Sequence, residues 1–172
     1  MKAEQMEMKQ LLKNFAFNGK VEWLSYRPGP TSRGPLKIVD TIDVTEQKGI
    51  VGDRYKGTSR NRQVTLIQAE HIEAFAKMLH KESIDPALLR RNIVVSGINL
   101  LAFHDSTFQI GEVVLKGTGY CHPCSQMEEN LGLGGYNAMR GHGGITCTVM
   151  KGGKIKIGDE VSPVQEPIPQ PS

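Results

Sequence analysis

Short runs of apolar, β-branched residues, separated by glycine, proline and aspartate, most limit what this chain can fold into. Such runs predict strands, because branched side chains pack well on a pleated surface and the separating residues favour turns. Long helical stretches do not alternate with them, which disfavours a doubly wound parallel sheet. We therefore predict a mostly β (α+β) domain, a closed or nearly closed barrel with inserted helices. The seven strand candidates are residues 21–26, 36–44, 63–67, 92–95, 108–115, 145–150 and 155–161.

Three stretches show helical spacing instead. Residues 3–17 are predicted to form an N-terminal helix that ends at Asn18-Gly19. A second helix is predicted between Ile72 and Leu79, and a short third one starts at Asp85-Pro86 and runs through Leu89. The apolar positions are Met8, Leu11, Leu12 and Phe15 in the first helix and Ile72, Phe75, Ala76 and Leu79 in the second.

A chain of 172 residues can bury one good core. We predict a helical appendage (1–18), one barrel domain (19–163) and a disordered proline-rich tail (164–172).

The net charge of +3 is too small and dispersed to predict nucleic-acid binding, and charges among the first apolar residues exclude a signal peptide or membrane span there. Three cysteines disfavour a disulfide scaffold. We expect a cytoplasmic monomer or homodimer.

The residues best suited to chemistry gather in segment 120–125 (YCHPCS) and in the glycine-rich basic turn 140–144 (RGHGG). Ser125 followed three residues later by Glu128 is a capping-box pattern, which places Cys124 beside a helix start. Exposed N–H groups at such a start favour a thiolate. Cys124 is therefore a candidate nucleophile or metal ligand, and a small buried hydrophobe is the alternative.

Two other uses of the cysteines are disfavoured. A zinc site would take Cys121, Cys124, His142 and Cys147 as ligands. Alternation along residues 145–149, however, predicts that Cys147 points into the core. A Cys-x-x-Cys redox pair normally works from a βαβ scaffold, which the strand pattern does not offer.

Arginines and glycines favour a site for a small anion. Segment 49–54 (GIVGDR) carries a carboxylate and a guanidinium, and segment 140–144 can turn several backbone N–H groups toward one ligand. Neither segment matches the P-loop or the dinucleotide fingerprint, so nucleoside triphosphates and NAD are not expected. The locally clustered basic residues are Arg54, Lys56, Arg60, Arg62, Arg90 and Arg91.

Taken together, residues 19–161 resemble the MOSC family, the C-terminal domain of molybdenum-cofactor sulfurases. The order and spacing of several short segments carry the resemblance. They are 19–23 (GKVEW) with Arg27-Pro28, 49–54 (GIVGDR), 62–67 (RQVTLI), 89–93 (LRRNI), 97–100 (GINL), Ile110-Gly111 and Pro123-Cys124. The resemblance implies a barrel similar to that of pyruvate kinase, and a cysteine at position 124 that carries sulfur or ligates molybdenum.

The resemblance also implies a site for the molybdenum cofactor. A thiolate is a suitable soft metal ligand, and the pterin phosphate needs cationic or N–H donors. Asp53 is expected to orient an arginine or accept from pterin N–H groups, and Asn92 to bond a pterin edge or cap a turn. For His122 and His142 a surface or core position is the alternative. The candidate cofactor-binding residues are Asp53, Arg54, Arg60, Arg62, Arg91, Asn92, His122, Arg140, Gly141, His142 and Gly143, with Cys124 as catalytic residue and metal ligand.

Three functions follow from the resemblance. The first is a reductase of N-oxygenated compounds, similar to the family's reductase members. Its electrons come from another protein, since the cysteines are too few for an iron–sulfur domain and no haem attachment pattern is present. The second is a sulfur carrier that passes persulfide sulfur from a donor protein through Cys124 to a metal centre. The third is a non-enzymatic cofactor-binding module. Pyridoxal phosphate is not expected, because no aminotransferase-like segment is present.

Overall fold

The computed structural model describes residues 7–164, and strands account for most of their regular structure. The first five strands follow one another without a helix, and short helices occur mainly between β5 and β9. The strands are β1 (Gly19–Tyr26), β2 (Lys37–Val39), β3 (Thr41–Thr45), β4 (Gly49–Ile50), β5 (Val64–Gln68), β6 (Ile93–Ser96), β7 (Thr107–Ile110), β8 (Val113–Tyr120), β9 (Ile145–Lys151), β10 (Gly153–Lys156) and β11 (Glu160–Pro163).

Seven of the strands close into a barrel in the order β11, β7, β8, β9, β5, β6 and β1. The ring closes because β1 pairs again with β11, with Gly19 opposite Val161. All neighbours are antiparallel except β5 and β6, which are parallel. β2 extends the sheet beyond β1, and β10, β3 and β4 form a second small sheet. The predicted mostly β barrel with few helices is confirmed.

Helices fill the connections of the barrel. They are α1 (Met8–Leu11), α2 (Ala69–Met78), α3 (Ser125–Leu131) and α4 (Gly135–Met139), with two 3-10 turns at Pro86–Leu89 and Leu100–Phe103. α2 and the turn at Pro86–Leu89 carry the crossover between the parallel strands β5 and β6. Both α2 and this turn were predicted from the sequence. The Asp85 carboxylate caps the turn by accepting the N–H of Ala87 (3.0 Å).

Two hydrophobic clusters lie on the two faces of β5 and β6. Leu66 and Ile93 point into the barrel, whereas Ile67 and Val94 point outward against the layer formed by α2, α3 and α4. Strand residues therefore alternate between two buried environments, and all five residues of β5 are buried. The helical layer and the barrel meet where β8 leads into α3.

Three of the predicted strand runs are each two strands. Run 36–44 breaks at Asp40 into β2 and β3, which belong to different sheets, and run 155–161 breaks at residues 157–159. Run 108–115 is a hairpin that turns at Gly111, where φ is +55°. Strand-forming residues continue up to each turn, so composition alone does not mark the break.

The predicted N-terminal helix is wrong in extent. α1 ends at Leu11, residues 13–18 are not helical, and residues 3–6 lie outside the described part. No residue of α1 is buried, and Phe15 leaves the helical path to stack on Phe103, with ring centroids 5.0 Å apart. An isolated helix without a packed face is not stable at this length. Residues 165–172 of the predicted tail also lie outside the described part.

Candidate functional site

Cys124 lies exposed at the rim of the barrel, at the start of α3. Just after β8, the N–H of Cys121 donates to the carbonyl of Gly144 (2.8 Å), which ties the exit of β8 to the turn before β9. Cys124 is the N-cap of α3, and its carbonyl accepts the N–H of Met127 (2.9 Å), a buried residue. A fixed backbone therefore presents this thiol to solvent.

The expected capping box at Ser125 and Glu128 does not form. Cys124, not Ser125, is the N-cap, and no side chain caps the helix. The Glu128 carboxylate instead accepts the N–H groups of Gly134 (2.7 Å) and Tyr136 (2.9 Å), and these bonds lower its pKa. Glu128 thus braces the turn between α3 and α4, which supports the helix that begins at Cys124.

The other two cysteines are buried and differ from Cys124 in environment. Cys147 points into the barrel, as strand alternation predicts, and burial raises its pKa well above the ordinary value for a thiol. Cys121 is also buried, beneath the loop that contains Gly144. Cys124 is therefore the one exposed thiol among residues 7–164.

Arg91 is a buried anchor close to the thiol. Its guanidinium donates to three carbonyl oxygens, those of Gly143 (2.9 Å), Leu89 (2.9 Å) and Cys121 (3.4 Å). Burial lowers its pKa, while the neighbouring thiols Cys121 and Cys124 act in the opposite direction. The side chain therefore joins three segments that surround the site. All three of its nitrogens donate to these segments, which leaves few N–H groups for a ligand.

Asp53 orients an arginine, Arg27. This is one of the two roles expected for the carboxylate from the sequence. The Arg27 guanidinium donates to both oxygens of Asp53 (3.3 and 3.0 Å), and the backbone N–H of Arg27 donates to one of them (2.8 Å). The N–H of Tyr55 donates to the other oxygen (3.0 Å). The Asp53 side chain is 1% exposed, so this ion pair is held firmly against the end of β1.

Two more arginines stand beside Arg27, and we call Arg27, Arg54 and Arg90 the rim arginines. Burial lowers the pKa of Arg90, and the charges of Arg27 and Arg54 lower it further. The Nε of Arg54 is buried and has no hydrogen-bond partner among the described residues. Three guanidinium groups with one carboxylate, Asp53, leave an excess of positive charge and an unused donor.

Arg33 brings a further positive charge to the thiol. It forms an ion pair with Glu129 on α3, and the hydrogen bond to Glu129 raises its pKa. Cys124 acts in the same direction on Arg33, with a smaller effect. Arg33 is thus within electrostatic range of Cys124.

The side chain of Asn92 forms its hydrogen bonds with partners inside the protein. Its side-chain oxygen accepts the backbone N–H (2.9 Å) and the hydroxyl (3.0 Å) of Thr65, and its amide nitrogen donates to the carbonyl of Ser25 (3.2 Å). Asn92 is 2% exposed. It joins β1, β5 and the start of β6, and so stabilises the end of β1 that leads into Arg27 and the segment from Arg90 into β6.

The glycine-rich loop 140–144 forms one wall of a cavity of about 260 Å³. Gly143 and Gly144 pack so closely that a Cβ on either would overlap a carbonyl oxygen, of Cys121 and Leu66 respectively. The loop therefore needs glycine at both positions. The cavity is lined by Leu101, Tyr120, Cys121, His122, Pro123, Gly141, Gly143 and Gly144.

The remaining candidate residues are spread around this centre. His122 is exposed and lines the cavity, and Arg62 is exposed but close enough for its charge to lower the pKa of Arg91. Arg60 is exposed and donates to the carbonyl of Val149 (3.4 Å). Arg140 is exposed and bonds Asn137 of α4 (3.3 Å). His142 is half-buried and contacts His71 rather than the rim arginines.

A comparison of the sequence with protein-family models matches the MOSC domain over residues 47–162, more than half of the chain. The chain belongs to the MOSC family. No curated protein sequence matches it.

Solved structures of similar fold include the YuaD protein of Bacillus subtilis and YiiM of Escherichia coli. The first has 22% identity and a TM-score of 0.72, with 84% of this chain and 94% of that protein covered. The second has 18% identity and a TM-score of 0.63, covering 86% and 70%. At these identities the likeness shows a shared fold.

The residues of this MOSC domain fit a cofactor that carries a phosphate and a thiolate-bound metal. The buried, unpaired Nε of Arg54 and the mutual repulsion of the rim arginines fit an anion. The exposed sulfur of Cys124 fits a soft metal. No cluster of three or more His, Cys, Asp or Glu side chains suited to a metal occurs within residues 7–164, which removes the four-ligand zinc arrangement there.

The sequence did not indicate Arg27 and Arg33 as site residues, and it indicated Arg90 only as one of the clustered basic residues. Their positions depend on contacts distant in sequence: Arg27 with Asp53, Arg33 with Glu129, and Arg90 with the carbonyl of Gly34 (2.7 Å). The Arg27-Pro28 pair was part of the family resemblance and is the one signal that could have indicated the first. No helix within the described chain has the length and hydropathy of a membrane span.

Proposed function

We propose that this protein binds the molybdenum cofactor and reduces N-oxygenated compounds with electrons from another protein. The observation that carries the proposal is an exposed thiol, Cys124, which acts on Arg91 together with Arg27, one of a group of arginines that repel one another. A structural cysteine has no need of solvent contact, and a structural arginine has no need of an unpaired Nε.

The chain's own residues divide the work of holding such a cofactor. Cys124 offers its sulfur as the metal ligand, and Arg54 and Arg90 offer N–H donors to the phosphate. Asp53 holds Arg27 in one orientation, which reduces the entropy lost on binding. Arg91 fixes Cys121 and the glycine-rich loop on either side. When bound, the cofactor supplies two-electron chemistry with oxygen-atom transfer.

Exposure of Cys124 also favours the sulfur carrier as a second candidate. A persulfide must be reached by both the donor and the acceptor protein, and an exposed thiol at a helix start meets that need. A sulfur carrier does not need the rim arginines, whereas a protein that binds the cofactor needs cations for the phosphate. We prefer the reductase for this reason.

The test is to purify the protein from a host that makes the cofactor and to measure molybdenum and pterin per chain. We expect about one of each in the wild type and in Cys147→Ala, the control that removes a buried thiol. Cys124→Ser should lose molybdenum by at least about tenfold, because a hydroxyl is a poor soft ligand. Turnover of an N-hydroxylated compound with a chemical reductant should fall in parallel.

Full molybdenum loading and activity in Cys124→Ser would contradict the ligand role. A mass gain of one sulfur atom on Cys124, without metal, would replace the reductase with the carrier. Bound pterin without turnover of any N-oxygenated compound would replace it with the cofactor-binding module.

A further inference from the structure

Two histidines, one of them in the glycine-rich loop, meet at a place that does not line the cavity described above. His71 lies in the first turn of α2 and His142 lies in the loop between α4 and β9. Their ring centroids are 5.0 Å apart, with an angle of 64° between the planes. Although they are distant in sequence, the packing of α2 against α4 brings them together.

Both rings carry a buried nitrogen without a partner. The Nδ1 atoms of His71 and His142 are inaccessible to solvent, and neither has a hydrogen-bond partner among residues 7–164. Leaving a buried polar nitrogen unsatisfied costs free energy, so two at one contact are unexpected in a purely structural pair. Something that accepts electron pairs from both rings would remove that cost.

The spacing and charge fit a divalent metal ion. Two imidazole nitrogens that bind one tetrahedral Zn²⁺ at about 2.0–2.1 Å hold their ring centroids roughly 5 Å apart. The nearby Glu70 carboxylate, which accepts the N–H of Gly97 (2.6 Å) and a donor from Gln68 (3.0 Å), adds negative charge.

We propose that His71 and His142 bind a Zn²⁺-like divalent cation that clamps the glycine-rich loop against α2, with water completing the coordination. The site is separate from Cys124 and does not depend on the proposed cofactor. Metal binding also affects the cavity. His142 lies between Gly141 and Gly143, which form part of the cavity wall, and the carbonyl of Gly143 accepts a hydrogen bond from Arg91. A bound ion therefore restrains the same loop from its outer side.

The test is calorimetric titration of the chelator-treated full-length protein with ZnCl₂, using Cys124→Ser as the background to remove zinc binding at the exposed thiol. We expect about one Zn²⁺ per chain. His71→Ala and His142→Ala should each weaken binding by at least about tenfold. His80→Asn is the matched control: it removes an exposed histidine near the end of α2 and retains a residue that tolerates φ of +54°.

A second readout needs no histidine variant. Cu²⁺ added to the Cys124→Ser protein should give an electron paramagnetic resonance spectrum with hyperfine splitting from two imidazole nitrogens. Zinc should also raise the thermal midpoint of this protein and of its His80→Asn derivative, but not of the histidine-pair variants. Equal zinc affinity in all the variants, no stoichiometric binding, or a copper spectrum without two nitrogens would each overturn the proposal.

Discussion

Arg90 and Arg91 are neighbours in sequence, yet they stand in opposite environments. Arg91 is buried and donates to three backbone carbonyls, so it acts as a cross-link between segments. Arg90 has left-handed backbone (φ +60°) and donates to one backbone carbonyl, that of Gly34 (2.7 Å); burial lowers its pKa, and the like charges of Arg27 and Arg54 lower it further. The two residues are of the same type, so residue type does not decide their roles. What differs is the number of hydrogen-bond acceptors that the fold places around each guanidinium: an arginine with many is structural, and one with few is available to a ligand.

The largest effect on stability is expected from Arg91→Ala. The substitution leaves the carbonyls of Leu89, Cys121 and Gly143 without their buried donor, and we expect a loss of about 4 kcal/mol in the free energy of unfolding. Urea denaturation followed by circular dichroism measures it. Arg90→Ala, the neighbouring control, should cost less than about 1 kcal/mol. Equal losses in the two variants would remove the distinction drawn between these arginines.

Gly144→Ala should have the next largest effect. A Cβ at Gly144 would overlap the carbonyl oxygen of Leu66, and the φ of +90° is itself unfavourable for alanine. We expect a loss of about 3 kcal/mol, because backbone on both sides would have to move. Gly141→Ala has a similar φ of +82° but open space around it. It should cost only about 1 kcal/mol, and thermal unfolding of the two variants compares them directly.

Arg54→Met should change binding rather than stability. It removes a charge that Arg27 and Arg90 repel, so the free energy of unfolding should stay within about 0.5 kcal/mol of the wild type. Affinity for inorganic phosphate, measured by calorimetry, should fall about tenfold, since one of three clustered cations is lost. Lys116→Met, which removes an exposed charge from β8, should leave phosphate affinity unchanged. A loss of stability without a loss of phosphate binding would place Arg54 with Arg91 as a structural residue.

Features set by local sequence were predictable, and those set by distant contacts were not. Alternation placed Cys147 in the barrel, and the cap at Asp85 marked the turn at Pro86–Leu89, because each depends on neighbouring residues. Glu128 illustrates the opposite case. Its spacing from Ser125 fitted a capping box, but the N–H groups of Gly134 and Tyr136 bind its carboxylate in the folded chain. Likewise, nothing in segment 27–33 indicated that Arg33 would pair with Glu129.

The sequence indicated Cys124 as a candidate reactive residue, but it did not indicate which polar groups around it have partners inside the fold. Cys124 was identified from its position before a helix, and its exposure agrees with a reactive role. Asn92 and Arg91 were candidates for the cofactor, but the folded chain supplies partners for much of their polar capacity. Which polar groups are left over becomes known only after tertiary packing has assigned all internal partners.

The seam between β1 and β11 has a consequence for how the protein is made. These strands lie at opposite ends of the domain in sequence, and they meet through the Gly19 and Val161 register and through the Val21 N–H, which donates to Asp159. During synthesis β2 and β6 become available to β1 first, whereas the part of β1 at Gly19 and Lys20 stays unpaired until nearly the whole domain has left the ribosome. Until then this part of the edge is open to mispairing with other nascent chains.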